Sequence, residues 1–196
     1  MKRSYILIAV IVLLVFIVYS SFKGSYNNMV SYEEGIKSQW SQVENVYQRR
    51  ADLIPNLVNT VKGYAEHEKE ALSAVIEARS KATSTNINAN NLNPEQLQQF
   101  QNAQSSLSSA LSRLMVVVER YPNLKANQNF LELQAQLEGT ENRIAVERRK
   151  FNEAVRNYNT YIRKFPKNIY ANMFNFEEKP YFEAEEKADE APVVEF

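Results

Sequence analysis

One apolar run and three amphipathic stripes organise the chain. The run extends from Tyr5 to Phe22, eighteen residues without a charge, behind the short basic start Met1 to Arg3. As a helix it rises about 27 Å, close to the roughly 30 Å hydrocarbon core of a bilayer. Tyr5 and Tyr19 mark its edges, where amphipathic rings settle among headgroups. The first stripe places Trp40, Val43, Tyr47, Ile54, Leu57, Val61, Tyr64, Leu72 and Val75 at alternating three- and four-residue steps. That is one face of a helix, and it predicts helix from Gly24 to about Thr83. Arg50 and Glu68 fall on the same face. Pro55 lies inside the pattern and removes the bond to Ala51, which predicts a kink or a break there. Asp52 is then the candidate cap of a new helix.

Residues Thr83 to Asn93 are nearly all Ser, Thr, Asn and Ala around one Ile and one Leu, the composition of a solvent-exposed loop. Asn93-Pro94-Glu95-Gln96 is a helix start, with a capping Asn, proline at the first position and a side chain placed to cap in return. The second stripe turns Leu97, Phe100, Leu107, Leu111, Leu114 and Val118 inward and ends near Tyr121-Pro122. The third carries Phe130, Leu133, Leu137, Ile144, Phe151, Val155, Tyr158 and Ile162, and Phe165-Pro166 stops it. No segment alternates with the period of a half-buried strand. The expected class is all-α: an N-terminal transmembrane helix, then an antiparallel up-and-down bundle of about four helical segments. Three regions follow: an anchor at 1–23, a bundle at 24–168 and a C-terminal segment at 169–196. The stretch from Phe182 to Phe196 is dominated by Glu and Asp and is expected to fray.

Composition narrows the function. Lys plus Arg number 23 and Asp plus Glu number 23, so the formal charge is zero. A dedicated nucleic-acid binder needs a cationic surface, and none is indicated. The absence of cysteine excludes disulfides, thiolate metal sites, thiol nucleophiles and lipidated cysteines. Four glycines and one histidine argue against a glycine-looped enzyme. Val18-Tyr19-Ser20-Ser21-Phe22-Lys23 lacks the small-x-small pattern of a signal-peptidase site, so the run is read as an uncleaved anchor. Lys2 and Arg3 before it, against Lys23 and Lys37 after it, place the N-terminus in the cytoplasm and the bundle outside the cell membrane.

Two blocks carry a family resemblance. The first is Trp40-Ser41-Gln42-Val43, then Arg49-Arg50-Ala51-Asp52-Leu53-Ile54-Pro55-Asn56-Leu57-Val58, then Val61-Lys62-Gly63-Tyr64-Ala65-Glu66-His67-Glu68. The second is Glu119-Arg120-Tyr121-Pro122-Asn123-Leu124-Lys125-Ala126, then Glu141-Asn142-Arg143-Ile144-Ala145, Asn157-Tyr158-Asn159 and Phe165-Pro166. With the anchor, and as far as the closing Ala191-Pro192-Val193-Val194-Glu195-Phe196, they resemble the LemA family of bacterial membrane proteins. The family tends to have Tyr-Asn where this chain has Phe151-Asn152, so a hydroxyl there is dispensable. The resemblance implies a membrane-anchored antiparallel bundle of about four helices and implies no activity.

Candidate chemistry is sparse. His67-Glu68 invites a zinc-peptidase reading, but the residue one turn on is Ala71 and there is no second histidine. A di-iron bundle needs Glu-x-x-His on two helices, and Tyr64 precedes His67 by three. His67 is therefore structural, and no catalytic, cofactor or metal residue is expected. Arg50 and Glu68 cover apolar surface with their stems while their heads reach water or a partner. Glu141 and Arg148 interrupt the third stripe and suit cross-helix pairing. The sharper alternative is a proton relay or ligand pocket. The pairs Tyr26-Asn27, Phe151-Asn152 and Tyr158-Asn159 put amides on helices, where they fix register or recognise a peptide or partner. The expected function is a non-enzymatic scaffold or adaptor of the bacterial cell envelope, held in the bilayer by Tyr5–Phe22 and paired with another envelope protein. The alternatives are an enzyme or ligand-binding bundle using Arg50 and Glu68, or a self-associating structural protein.

Overall fold

The computed structural model describes residues 2–65, 67–85, 87, 89 and 92–183, the side chains of 2–4 excepted. Glu66 of the histidine block and the acidic residues from 184 onward, including the closing block at 191–196, lie outside the described residues. Among those described there are six helices and no strand. They are α1 (Lys2–Lys62), α2 (Lys69–Ser84), α3 (Pro94–Val118), α4 (Pro122–Lys125), α5 (Gln128–Arg163) and α6 (Lys167–Met173).

The apolar run and the first stripe form one helix. At 61 residues, α1 is about 92 Å long, and Pro55 sits inside it. Of the kink or break expected at Pro55, the break does not occur, and Asp52 is no cap: it accepts from Gln48 Nε2 at 2.8 Å in mid-helix. The reason lies on another helix. Proline leaves the buried Ala51 carbonyl without its intrahelical donor, and Arg79 Nε of α2 donates to that oxygen at 2.8 Å. α1 ends instead at Lys62, where Tyr64 and Ala65 both close short turns onto the Val61 carbonyl. Tyr64 thereby leaves the stripe: it is exposed, and its hydroxyl accepts from Asn127 Nδ2 at 2.9 Å.

α1 packs along α5 over the greatest length, α2 packs on α3, and α2 also contacts α1. Burial divides into two apolar clusters. One gathers Met29, Ile36, Trp40, Val43 and Tyr47 of α1 with Phe100, Ile144, Phe151, Val155, Tyr158 and Ile162. The other gathers Ile54, Leu57 and Val61 with Leu72, Val75, Leu107, Leu114, Leu124, Phe130 and Leu137. The polar loop is not wholly exposed, because its two apolar residues, Ile87 and Leu92, are buried in the first cluster. Asn93 caps α3 as expected, accepting from the Gln96 amide at 2.8 Å, but the return bond is not made and Gln96 Oε1 is buried without a partner. Asn127 caps α5 in the same way at 3.1 Å.

The end of α6 reverses the chain. Asn175 takes the left-handed conformation (φ 58°), and the Phe176 amide bonds back to the Ala171 carbonyl at 3.0 Å. This is a Schellman turn, with asparagine where glycine is commonest. It sends residues 176–183 back along the body as an extended strap. Phe182, expected at the start of a fraying tail, is buried in the first cluster.

Candidate functional site

A polar layer separates the two clusters. The stripe spacing of α1 drives Arg50 inward between Tyr47 and Ile54, and it is 2% exposed. A guanidinium removed from water must be bonded on nearly every donor. Nη1 donates to Glu141 Oε2 at 2.8 Å and to Ser108 Oγ at 3.0 Å; Nη2 donates to Gln104 Oε1 at 2.6 Å. The plane lies 5.1 Å from the centre of the Tyr47 ring, and Nε alone is buried without a partner. Gln104 is buried too, and its Nε2 reaches the Ala82 carbonyl of α2 at 3.3 Å. Thr140 completes the layer, donating to the Gln136 carbonyl at 2.7 Å. Arg50 thus ties α1 to α3 and α5, and Gln104 extends the tie to α2. Glu141 is 57% exposed at its side chain, so the ion pair is dry at the arginine and wet at the carboxylate.

An open cavity of about 340 Å³ adjoins the layer, lined by residues that include Glu44, Gln48, Tyr47, Ala82, Thr83 and Gln104. Its one carboxylate among the lining residues is Glu44, and the other polar groups there are the Asn45, Gln48 and Gln104 amides, the Tyr47 phenol and the Thr83 and Thr85 hydroxyls. Among the described residues no group of three His, Asp or Glu side chains is placed to hold a metal.

Glu68 lies in a separate place. It accepts from Arg120 Nη2 at 3.1 Å and from the Tyr121 hydroxyl at 2.9 Å, fastening the start of α2 to the turn after α3. The hydrogen bond to Glu68, followed by desolvation, raises the Tyr121 phenol above its ordinary value. His67 beside it is exposed. The structure therefore pairs Arg50 with Glu141, as the interrupted stripes suggested, but does not bring Glu68 to Arg148 or to Arg50. Arg148 instead donates to the Glu183 carbonyl at 2.9 Å and lies over the Phe182 ring.

The strap is read by two of the three noted asparagines. Asn159 accepts from the Lys179 amide and donates to its carbonyl, both at 2.9 Å. Asn152, two turns earlier on α5, accepts from the Phe182 amide at 2.8 Å and donates to its carbonyl at 3.0 Å. Each amide thus satisfies both backbone groups of one strap residue, as a neighbouring strand would. Tyr158 donates to the Glu177 carbonyl at 3.0 Å; burial, then the Glu33 and Glu177 carboxylates, hold its hydroxyl well above the usual phenol range. Lys179 pairs with Glu33 of α1 at 2.9 Å. Phe182 stacks on Trp40 at 5.9 Å and meets the Phe151 ring at 5.2 Å. The packing at position 151 uses a ring face and edge, which suits a phenylalanine. Asn27 has no such role; its neighbour Asn28 donates to the Tyr161 hydroxyl at 3.1 Å.

Comparison with known proteins points one way. The LemA family model matches residues 39–196. Magnetosome protein MamQ 2 of Paramagnetospirillum magneticum is 28% identical, over 86% of this chain and 68% of that protein. Magnetosome protein MamQ of Magnetospirillum gryphiswaldense is 27% identical over the same shares. Protein LemA of Metamycoplasma hominis is 25% identical over 94% of this chain and 80% of its own length.

Proposed function

This chain belongs to the LemA family, and from that premise we propose that it is a single-pass, membrane-anchored helical scaffold or adaptor of the bacterial cell envelope, without a catalytic reaction of its own. The continuity of α1 carries the reading. The most apolar eighteen-residue window of that helix has a mean hydropathy of 2.7, and none of it is buried. The same helix then supplies the buried stripe from Met29 to Val61 with no joint between. With Tyr5–Phe22 in the bilayer, the remaining helix rises as a stalk of about 60 Å on which α2, α3 and α5 assemble. A stalk without a hinge suits holding a surface at fixed height and orientation. The relatives named for the magnetosome, and the one helix among the described residues long and apolar enough to cross a membrane, are compatible with a membrane location.

In this reading residues 1–23 are the anchor, 24–168 an antiparallel up-and-down bundle, and 169–196 a C-terminal segment laid back on it. Lys2 and Arg3 keep the N-terminus in the cytoplasm and the bundle outside. Arg50 and Glu68 act in the framework, since each bonds to different partners in a different part of the core. The test uses the full chain in its native membrane. It should resist extraction at alkaline pH, and an impermeant lysine label should reach Lys150 before the inner membrane is lysed. Photo-crosslinkers on exposed helix faces should then capture another envelope protein. Release at alkaline pH removes the anchor, and labelling only after lysis reverses the orientation. Crosslinks exclusively between copies replace the adaptor by a self-associating structural protein.

A further inference from the structure

The membrane end of the body carries an apolar face left exposed among the described residues. Phe165, Ile169 and Met173 are 80%, 50% and 61% exposed. Ile169 and Met173, four residues apart, share one side of α6, and Phe165 stands in the turn before it. The other side makes contacts. Ala171 is buried, and the Tyr170 and Phe174 rings pack on Phe22 at 5.1 and 5.2 Å. Phe174 also meets the Tyr26 ring at 4.8 Å. Phe22 closes the apolar run of α1. α6 is therefore bolted to α1 where the exposed apolar helix gives way to the buried stripe.

We propose that α6 and the Phe165 turn form an interfacial foot, inserting Phe165, Ile169 and Met173 into the headgroup–acyl boundary of the bilayer that α1 crosses. The inference rests on the anchor reading and adds a second point of attachment. Lipid is the occupant the surroundings specify. In the anchor reading the contacts of Tyr170 and Phe174 with Phe22 fix α6 at the bilayer end of the body, and exposed cations stand next to these residues in sequence, Lys23 after Phe22 and Lys164 before Phe165. Apolar side chains on one side with lysines at the margin are the composition of a helix lying in the interface plane. A lone span leaves the body free to rotate about the helix axis and to tilt, and anchors at the interface are what fix both. The foot sets the direction in which the stalk presents the bundle.

The absence of cysteine makes the test direct, because one introduced cysteine carries one label. Full-length Ile169→Cys, bearing an environment-sensitive fluorophore, is reconstituted in vesicles of phosphatidylethanolamine and phosphatidylglycerol. Val12→Cys in the apolar run and Arg156→Cys on exposed α5 serve as references. The foot predicts that the label at 169 is quenched by lipid-borne nitroxides and shielded from aqueous iodide, like the label at 12 and unlike that at 156. A wet label at 169 beside a dry one at 12 overturns the foot and leaves the anchor standing. Wet labels at both positions overturn the anchor and the foot together. A label at 169 shielded from iodide but not reached by lipid nitroxides shows that protein covers the face, which also overturns the proposal. Met173→Cys, one turn on, repeats the measurement if Trp40 emission shows that the label at 169 disturbs the fold.

Discussion

Replacing Arg50 tests the polar layer most sharply, and the structure sets the magnitude. Breaking a buried ion pair costs about 3–5 kcal/mol when the remaining charge is stranded. Here it is not stranded: Glu141 is 57% exposed and regains water when the guanidinium leaves. What stays behind is the buried Gln104 carbonyl oxygen, worth about 1–3 kcal/mol unsatisfied, and the space the arginine stem filled. Arg50→Ala is therefore expected to destabilise the body by about 3 kcal/mol, at the lower edge of the range for a stranded charge. Arg50→Met keeps the stem and leaves mainly the Gln104 penalty, about 2 kcal/mol. Arg50→Met with Gln104→Leu removes the stranded Gln104 oxygen but also the Nε2 donor of the buried Ala82 carbonyl, so the two changes offset and the double variant should stay about 1–3 kcal/mol below the parent. Denaturant unfolding of the full chain in detergent is the assay, followed through the emission of Trp40, the single and fully buried tryptophan. One result would refute the reasoning: Arg50→Met as stable as the parent.

Three further outcomes follow from the same geometry. Arg79→Ala strands the Ala51 carbonyl and should cost about 1–3 kcal/mol; in a Pro55→Ala background an amide hydrogen returns to position 55, and most of that cost should disappear in a double-mutant cycle. Asn152→Ala and Asn159→Ala should each loosen the strap by about 1–3 kcal/mol and be less than additive, because once Phe182 has left Trp40 the second asparagine has nothing to hold; a red shift of Trp40 emission and faster amide exchange at Lys179 and Phe182 report it. Glu147 accepts from Lys150 and from Gln39, the first being the larger cause of a pKa held below the ordinary glutamate value. A depressed carboxyl stabilises the fold above the unfolded value near 4.3 and loses that contribution as pH falls through the folded value, so Glu147→Gln should weaken the chain at pH 7 and match the parent in strong acid. Equal destabilisation of Glu147→Gln at both pH values would contradict the assignment.

The amphipathic stripes were legible because burial enforces periodicity. With Tyr64 exposed and Leu111 and Leu133 half-buried, every other named stripe residue is buried. What the stripes could not show lies outside a single segment. The survival of the helix through Pro55 depends on Arg79, which is remote in sequence and on another helix. Ile87, Leu92 and Phe182 enter the core from connections with no period, so one apolar residue in a polar stretch gave no signal. The strap was hidden for the same reason, although the seven-residue spacing of Asn152 and Asn159 on one helix face was present to be noticed.

The polar layer was legible in a way that single residues do not reveal. Arg50 stands three residues after Tyr47 and four before Ile54; Thr140 stands three after Leu137 and four before Ile144; Gln104 stands four after Phe100 and three before Leu107. Each of these three residues is thus a buried polar residue where the period of its stripe demands an apolar one, and folding brings the three interruptions to one level. Attention to charge alone found Arg50 and passed over Gln104 and Thr140, whose neutrality disguised them as surface positions. A layer of this kind contributes little net stability, since an apolar replacement of the whole set is close to neutral. Its physical effect is on register. Sliding α1 by one turn against α3 and α5 would move Arg50 off Gln104, Ser108 and Glu141 and into the flanking apolar clusters, where its guanidinium has no acceptor. Leucines tolerate such a slip far better than a guanidinium does. In a body built on one continuous stalk, register between α1 and its partners is what fixes the height of every other surface the chain presents.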